Sequence, residues 1–453
     1  MNSFLMAFGL AGIFLCVGMF LRAKVPFLRN MLVPSSVLAG LLGLCTMNVA
    51  ASLNLNLGTD GNMFTDIVNH LFTISFISIS LTGSGDNGEK GSVAKGIFKG
   101  ALGMGLVWCL LYALTPLLGM LLIDVIGGPF NMDPAYGSLI PFAFAQGPGQ
   151  AASYGLLYES YGWENAAMVG VTFSAVGFII AFLVGIPAAK IGIARGIAKN
   201  CSQVDAVTLR GYMRPEEQTA HMNKDTTCSS NIETLSFHFA VIGVCYVLAV
   251  VISWLLSKLP ILGSSLSGMM FMNGMIAAYI VKFVMKKLKI DYLLDNTLQT
   301  KITGWTADYL VVCAFMAVSF SVIQTWLVPI LIEAAVITVV TAVLCFYFGQ
   351  RIGGEHDFER TLGLYGTSTG TVPTGIALVR IVDPNFKTTT AVELGLTNLI
   401  MIASTPVVIV MMLYAEGQLS YPITLAVLAG CSLLYLVALK LTKCWGKKSF
   451  SWK

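Results

Sequence analysis

Long apolar runs separated by short polar connections set the pattern of this chain. A run of about 18 apolar residues is long enough to cross a bilayer as a helix. Eleven such runs can be drawn, at 4–21, 32–52, 66–82, 100–122, 164–188, 235–256, 261–281, 304–324, 326–348, 389–413 and 420–440. Two further apolar stretches, 134–158 and 359–384, are interrupted by glycine and proline and do not read as plain spans. The pattern predicts an all-α polytopic membrane protein, because helices satisfy their own backbone groups in lipid.

The cations orient these spans. With 22–31 in the cytoplasm and the spans alternating, the inside segments are 22–31, 83–99, 189–234, 282–303, 349–388 and 440–453. They hold 26 of the 27 Lys and Arg, and only Lys258 falls outside. The N-terminus is then outside, with the 191–234 segment and the basic C-terminal tail in the cytoplasm. Each interrupted stretch must enter and leave on one side, 134–158 from outside and 359–384 from the cytoplasm. Two re-entrant hairpins of opposite sense are what an inverted repeat produces. The expected organisation is a first repeat of five spans in 1–190 and a solvated linker at 191–234. A second repeat of five spans in 235–414 follows, then an extra span with its tail in 415–453.

Composition agrees with this. The chain is 56% hydrophobic and 11% charged with mean hydropathy +0.78, where a soluble protein carries roughly 25% charged residues. A net charge of +4 gives no reason to expect nucleic acid as a partner. The ten cysteines are scattered without a CxxC or Cys/His cluster, and read as small packing residues. Arg22, Lys24 and Arg29 follow the first apolar run rather than precede it, so a retained span is expected rather than a cleaved leader. No Ser/His/Asp set, HExxH or paired carboxylates appear, and no enzyme is expected. The glycine-rich 81–92 stretch lacks a preceding strand and a GK[ST], so it is not read as a phosphate loop.

The chemistry is concentrated in the two interruptions, FAFAQGPGQAASYG (142–155) and GLYGTSTGTVPTG (363–375). Laid over each other without gaps, they put Gly149 on Gly370, Gln150 on Thr371, Ala152 on Pro373 and Ser153 on Thr374, and the same offset puts Glu159 on Arg380. Unpaired peptide groups survive inside a membrane only against protein or a water-filled cavity. There, freed carbonyls can coordinate a cation, and freed amides at helix N-termini can bind a carboxylate. The candidate substrate residues are Gln146, Gly147, Pro148, Gly149 and Gln150 at the first tip, and Gly370, Thr371, Pro373 and Thr374 at the second. Arg380 would pair with a substrate carboxylate, or else is an ordinary cytoplasmic-face charge beside Asp383. The hydroxyls of Thr367, Ser368 and Thr369 suit a hard cation such as Na⁺; Glu393, with Thr397 and Asn398 on its helix face, is a candidate for the same role or for a proton relay. Glu333, deep in 326–348, is the most buried charge and has no nameable partner. Glu159 reads as a solvated end and His238 as interfacial.

At these motifs the chain resembles the bacterial sodium/glutamate symporter family. The resemblance is carried by GTSTGTVPTGIALVRIVDP at the second interruption, by YESYGWENAAMVGVTFSAVGF after the first, and by VPSSVLAGLLGL in the second span. It covers about residues 4–413. The first tip departs from it, with Gln146-Gly147-Pro148-Gly149 where the family has Gly-Gly-His-Gly, and the last span and basic tail are additions. The resemblance implies sodium-driven uptake of glutamate or a similar small carboxylate anion, by a homodimer of the bacterial cytoplasmic membrane. In it one domain slides against a scaffold. A proton-coupled transporter or an exchanger of another organic anion, and less readily an ion channel, are the competing expectations.

Overall fold

The computed structural model describes residues 3–26, 28, 33–55, 57–82, 91–198, 213, 226–228, 230–259, 266, 267, 269–383 and 387–451. The 191–234 linker and the 81–92 stretch lie largely outside the described residues. No strand occurs among those described. The helices are α1 (Ser3–Lys24), α2 (Ser35–Ser52), α3 (Gly61–Leu81), α4 (Gly91–Ile126), α5 (Pro134–Gly137), α6 (Ile140–Phe144), α7 (Pro148–Ser160), α8 (Ala166–Ala194) and α9 (Thr234–Leu256). They continue as α10 (Met270–Lys287), α11 (Asn296–Ala317), α12 (Phe320–Ile323), α13 (Leu327–Gly349), α14 (Asp357–Ser368), α15 (Val372–Val382), α16 (Thr390–Met401), α17 (Thr405–Ala415) and α18 (Tyr421–Leu441).

Among the described residues, nine helices are long and apolar enough to cross a membrane; α16 and α17 count as one of them, through Thr390–Ala415. Two of the eleven expected spans are not among the nine. The 261–281 run becomes α10, shifted toward the C-terminus onto Lys282, Lys286 and Lys287, with 260–265 and 268 outside the described residues. The 304–324 run is cut. Helix α11 stops at Ala317, and the chain is extended at Val318 and Ser319 before α12. The side chain of Asn48 on α2 closes that gap: its Nδ2 donates to the Val318 carbonyl (2.9 Å) and its Oδ1 accepts from the Phe320 amide (2.7 Å). One amide side chain thus supplies both partners a continued helix would have supplied.

Helix α3 sits centrally, packed on α11, α10 and α7, while α4 packs on α18, α16 and α13. Glycines set the close approaches: Gly40 lies against the Phe315 ring and Gly18 against the Ser35 carbonyl. His238 is buried rather than interfacial. Its Nδ1 donates to the Thr234 carbonyl (2.7 Å) and its Nε2 accepts from the Asp295 amide (2.8 Å), tying α9 to the start of α11.

Replacing Asn48 by Leu removes both partners of the 317–320 gap. The variant should lose about 2 kcal/mol of stability, read as a lower unfolding temperature in detergent.

Candidate functional site

The two interruptions meet. Gly147 has φ +82°, in the left-handed region, so the turn into α7 selects glycine. A Cβ there would strike the Thr371 methyl and lie 3.3 Å from the Gly370 carbonyl oxygen. Positions from opposite halves of the chain are therefore in van der Waals contact, with no room for a side chain between them.

Each tip is held by its own neighbours. At the first, the Trp108 indole Nε1 donates to the freed Ala145 carbonyl (3.0 Å), and the Ser174 hydroxyl to the Ala143 carbonyl (3.2 Å). The Tyr112 hydroxyl donates to Gln146 Oε1 (3.0 Å), with its ring stacked on Trp108 at 4.7 Å. These carbonyls are thus served by protein donors rather than left open for a cation. Gly149 packs against the Phe72 ring, and Ser153 donates to Asn69 Oδ1. Pro148 opens α7 and brings no amide of its own, so the Gly149 and Gln150 amides are the first that the new helix presents. Gln150 is buried with Oε1 unpartnered.

The second tip is capped by Thr371, whose hydroxyl accepts from the Thr374 amide (3.4 Å) and lies 3.1 Å from the Thr374 hydroxyl; Pro373 follows in the first turn of α15. Of the hydroxyl run, Thr369 is bonded back to the Tyr365 carbonyl (2.8 Å), and Ser368 lies beside the Cys345 thiol. Thr367 Oγ1 is buried without a partner, against Gly375. Arg380, exposed one helix length from the tip, shares a cavity of about 290 Å³ with Arg22, Pro34, Phe182 and Pro373. Asp383 is buried, and its two oxygens accept from the Lys387 (2.9 Å) and Thr388 (2.7 Å) amides.

The Glu393 set is engaged within the protein. Arg360 Nε and Nη2 each donate to one Glu393 oxygen at 2.6 Å, and Thr389 adds a third bond at 2.8 Å. Arg360 Nη1 donates to Asp357 Oδ1 (3.0 Å), whose other oxygen accepts from the Gly353 amide (2.9 Å). The Thr397 hydroxyl turns back to the Glu393 and Leu394 carbonyls, and Asn398 is exposed. In this arrangement the Glu393 oxygens serve Arg360 and Thr389, the Thr397 hydroxyl serves its own helix, and Asn398 is exposed, so the three side chains do not converge on one point. Gly100 of α4 makes room for the pair, since a Cβ there would lie 2.7 Å from Arg360 Nε. Glu159, expected as a solvated end, caps α8 instead by accepting from the Ala167 amide (3.0 Å). Sequence reasoning missed Arg360 and Asp357, as well as Trp108, Tyr112 and Arg22. The available signal was an arginine at the head of an interrupted apolar stretch.

Among the described residues no three His, Cys, Asp or Glu side chains gather as a metal site. Neutral oxygens, such as the orphaned Thr367 hydroxyl, are what the tips offer a hard cation. A family model for the sodium/glutamate symporter matches residues 3–388. The chain belongs to that family. Family membership makes it a multi-pass membrane transporter with sodium as the coupling ion. No curated protein matches the chain. The matched region contains both tips and Arg360, and ends just before α16, which carries Glu393.

Breaking the buried pair from one side should be severe. Glu393→Gln should cost about 3–5 kcal/mol by stranding the guanidinium. The triple change Arg360→Met, Glu393→Met and Asp357→Asn, which leaves no buried charge unpaired and keeps an acceptor for the Gly353 amide, should recover most of that loss in the same thermal-unfolding assay.

Proposed function

We propose that the chain is a sodium-driven symporter of glutamate or a similar small carboxylate, with the substrate bound where the two tips touch. The observation that carries this reading is the contact of Gly147 with Gly370 and Thr371. Helices α7 and α15 both begin there, so two sets of amides without intrahelical acceptors, and two positive helix ends, converge on one spot. That is a favourable setting for an anionic carboxylate. Gln146, Gly147, Pro148, Gly149 and Gln150 form one wall, and Gly370, Thr371, Pro373 and Thr374 the other.

Arg380, lining a cavity shared with Arg22, supplies a guanidinium to a substrate carboxylate on the cytoplasmic side. Sodium is held by Thr367, Ser368 and Thr369, and its charge offsets that of the anion, so each favours binding of the other. With the short α5 and α12 set aside and α16 and α17 taken together, four helices, an interrupted pair and a further helix occur in order twice along the chain. We read this as an inverted repeat with re-entrant hairpins. The hairpin-bearing part moves against a scaffold in an elevator-like cycle, within a homodimer of the bacterial cytoplasmic membrane whose 191–234 linker and C-terminus face the cytoplasm. Uptake that ignored sodium and followed a pH gradient would replace this reading with a proton-coupled one.

The test is thermal stabilisation of the purified protein by glutamate, with and without Na⁺. Stabilisation should require Na⁺ and should vanish in Gly370→Val, whose side chain would crowd the Thr374 hydroxyl, while membrane insertion stays normal. A Gly370→Val protein that binds as tightly as the parent sinks the tip assignment. Arg380→Gln should weaken glutamate binding about tenfold or more, the loss of roughly one charge-assisted hydrogen bond.

A further inference from the structure

Away from the tips, one buried carboxylate is used by nothing described above. Glu333 lies in the second turn of α13 with no accessible surface, and neither of its oxygens meets a hydrogen-bond partner. Its surroundings are shaped by two glycines. The backbones of Gly119 on α4 and Gly137 on α5 cross so closely that a Cβ on Gly137 would lie 2.9 Å from the Met120 amide nitrogen. A Cβ on Gly119 would strike both the Gly137 carbonyl oxygen and Glu333 Oε1, so the carboxyl group and that carbonyl border the same spot. Residue 141 is proline, and the Gly137 carbonyl therefore lacks the amide that a continued helix would offer one turn on. Thr115, one turn before Gly119, and Thr341, two turns after Glu333, add buried hydroxyls without partners.

The ionisable groups on the packed elements are engaged elsewhere. On α4, Asp124 lies beside Tyr421, whose hydroxyl donates to the Met120 carbonyl (3.4 Å), Tyr112 is bonded to Gln146, and Lys99 lies at Gly353. Asp133 caps α5, and Tyr136 donates to the Glu164 carbonyl (2.8 Å). On α14, Asp357, Glu359 and Arg360 lie at the end where Thr361 meets Gly349, ~24 Å along α13 from Glu333 at the helical rise per residue. Tyr365 donates to the Ile180 carbonyl (3.2 Å), and Lys190 of α8 lies at that same far end, where Gly192 meets Phe358.

An ionised carboxylate in such a place has neither counter-charge nor donor, a cost of several kcal/mol. A carboxylic acid can instead donate to the carbonyl beside it. We propose that Glu333 is a proton-binding site, which carries a proton in this conformation and exchanges it with bulk water when the seam between α4 and α13 opens during transport. The proton enters from water and returns to water, and no other group need change charge. This makes the balance between conformations, and with it the transport rate, depend on pH. The inference rests on membership of a transporter family and not on the tip assignment.

Infrared spectroscopy of the full-length protein in lipid at neutral pH should show a protonated-carboxyl band that is absent in Glu333→Gln. In proteoliposomes at saturating Na⁺, wild-type glutamate uptake should change several-fold from acid to alkaline pH, while Glu333→Gln uptake stays flat. A wild-type protein without the band overturns the proposal, as does a Glu333→Gln transporter that keeps the full wild-type pH profile. Should Glu333→Gln fail to insert, Glu333→Asp keeps a titratable group, and its band must shift in frequency; an unshifted band refutes the assignment. Absent glutamate uptake with the band intact counts against the proposed substrate and leaves the proton site standing.

Discussion

A peptide group inside a bilayer must have a partner, and this structure is arranged around the few places where a helix stops supplying one. Three interruptions lie within apolar stretches, near 146, 318 and 370. Each is answered differently. At 318 a single Asn48 side chain from another helix replaces both missing bonds. At 146 the carbonyl side is answered by Trp108 and Ser174. At 370 Thr371 caps the next helix. The amide ends of α7 and α15 remain turned toward each other, and the structure brings these two ends, and not their carbonyl ends, to one place. On the proposed reading, the positive ends of these two helices are what would favour negative charge there.

The Arg360 cluster shows why a buried acid is weak ground for inferring an ion site. Glu393 has the expected burial and a hydroxyl one turn away, yet each of its oxygens accepts from a guanidinium on another helix. Asp357 and Gly353 complete a fully satisfied network. Glu333 is as deeply buried and has none of this. The difference between the two acids lies in who faces them, and that information is three-dimensional.

Much of the architecture was legible because apolar length is a one-dimensional signal. The long helices fall close to the runs that predicted them, and both glycine-proline interruptions are real breaks. The span over 304–324 misled because Val318 and Ser319 are not helix breakers by type; the partner that lets the helix end there is Asn48, on the second helix of the chain. At the site, Gly147 and Thr371 could be named individually, but their contact could not, since a faint likeness between two segments does not say that they touch. Arg360 was overlooked because charge counting filed it with the cytoplasmic cations.

The tip contact also bears on how the molecule is made. Trp108 and Ser174, which cover the first tip's carbonyls, belong to α4 and α8, so that half of the break is quiet as soon as the first helices assemble. Its companion surface, Gly370 and Thr371, leaves the ribosome only after α9 to α14 have been translated. Between those moments Gly147 has bilayer or water where its neighbour will be, and the nascent first half carries an unfinished polar edge that only the completion of the second half can close.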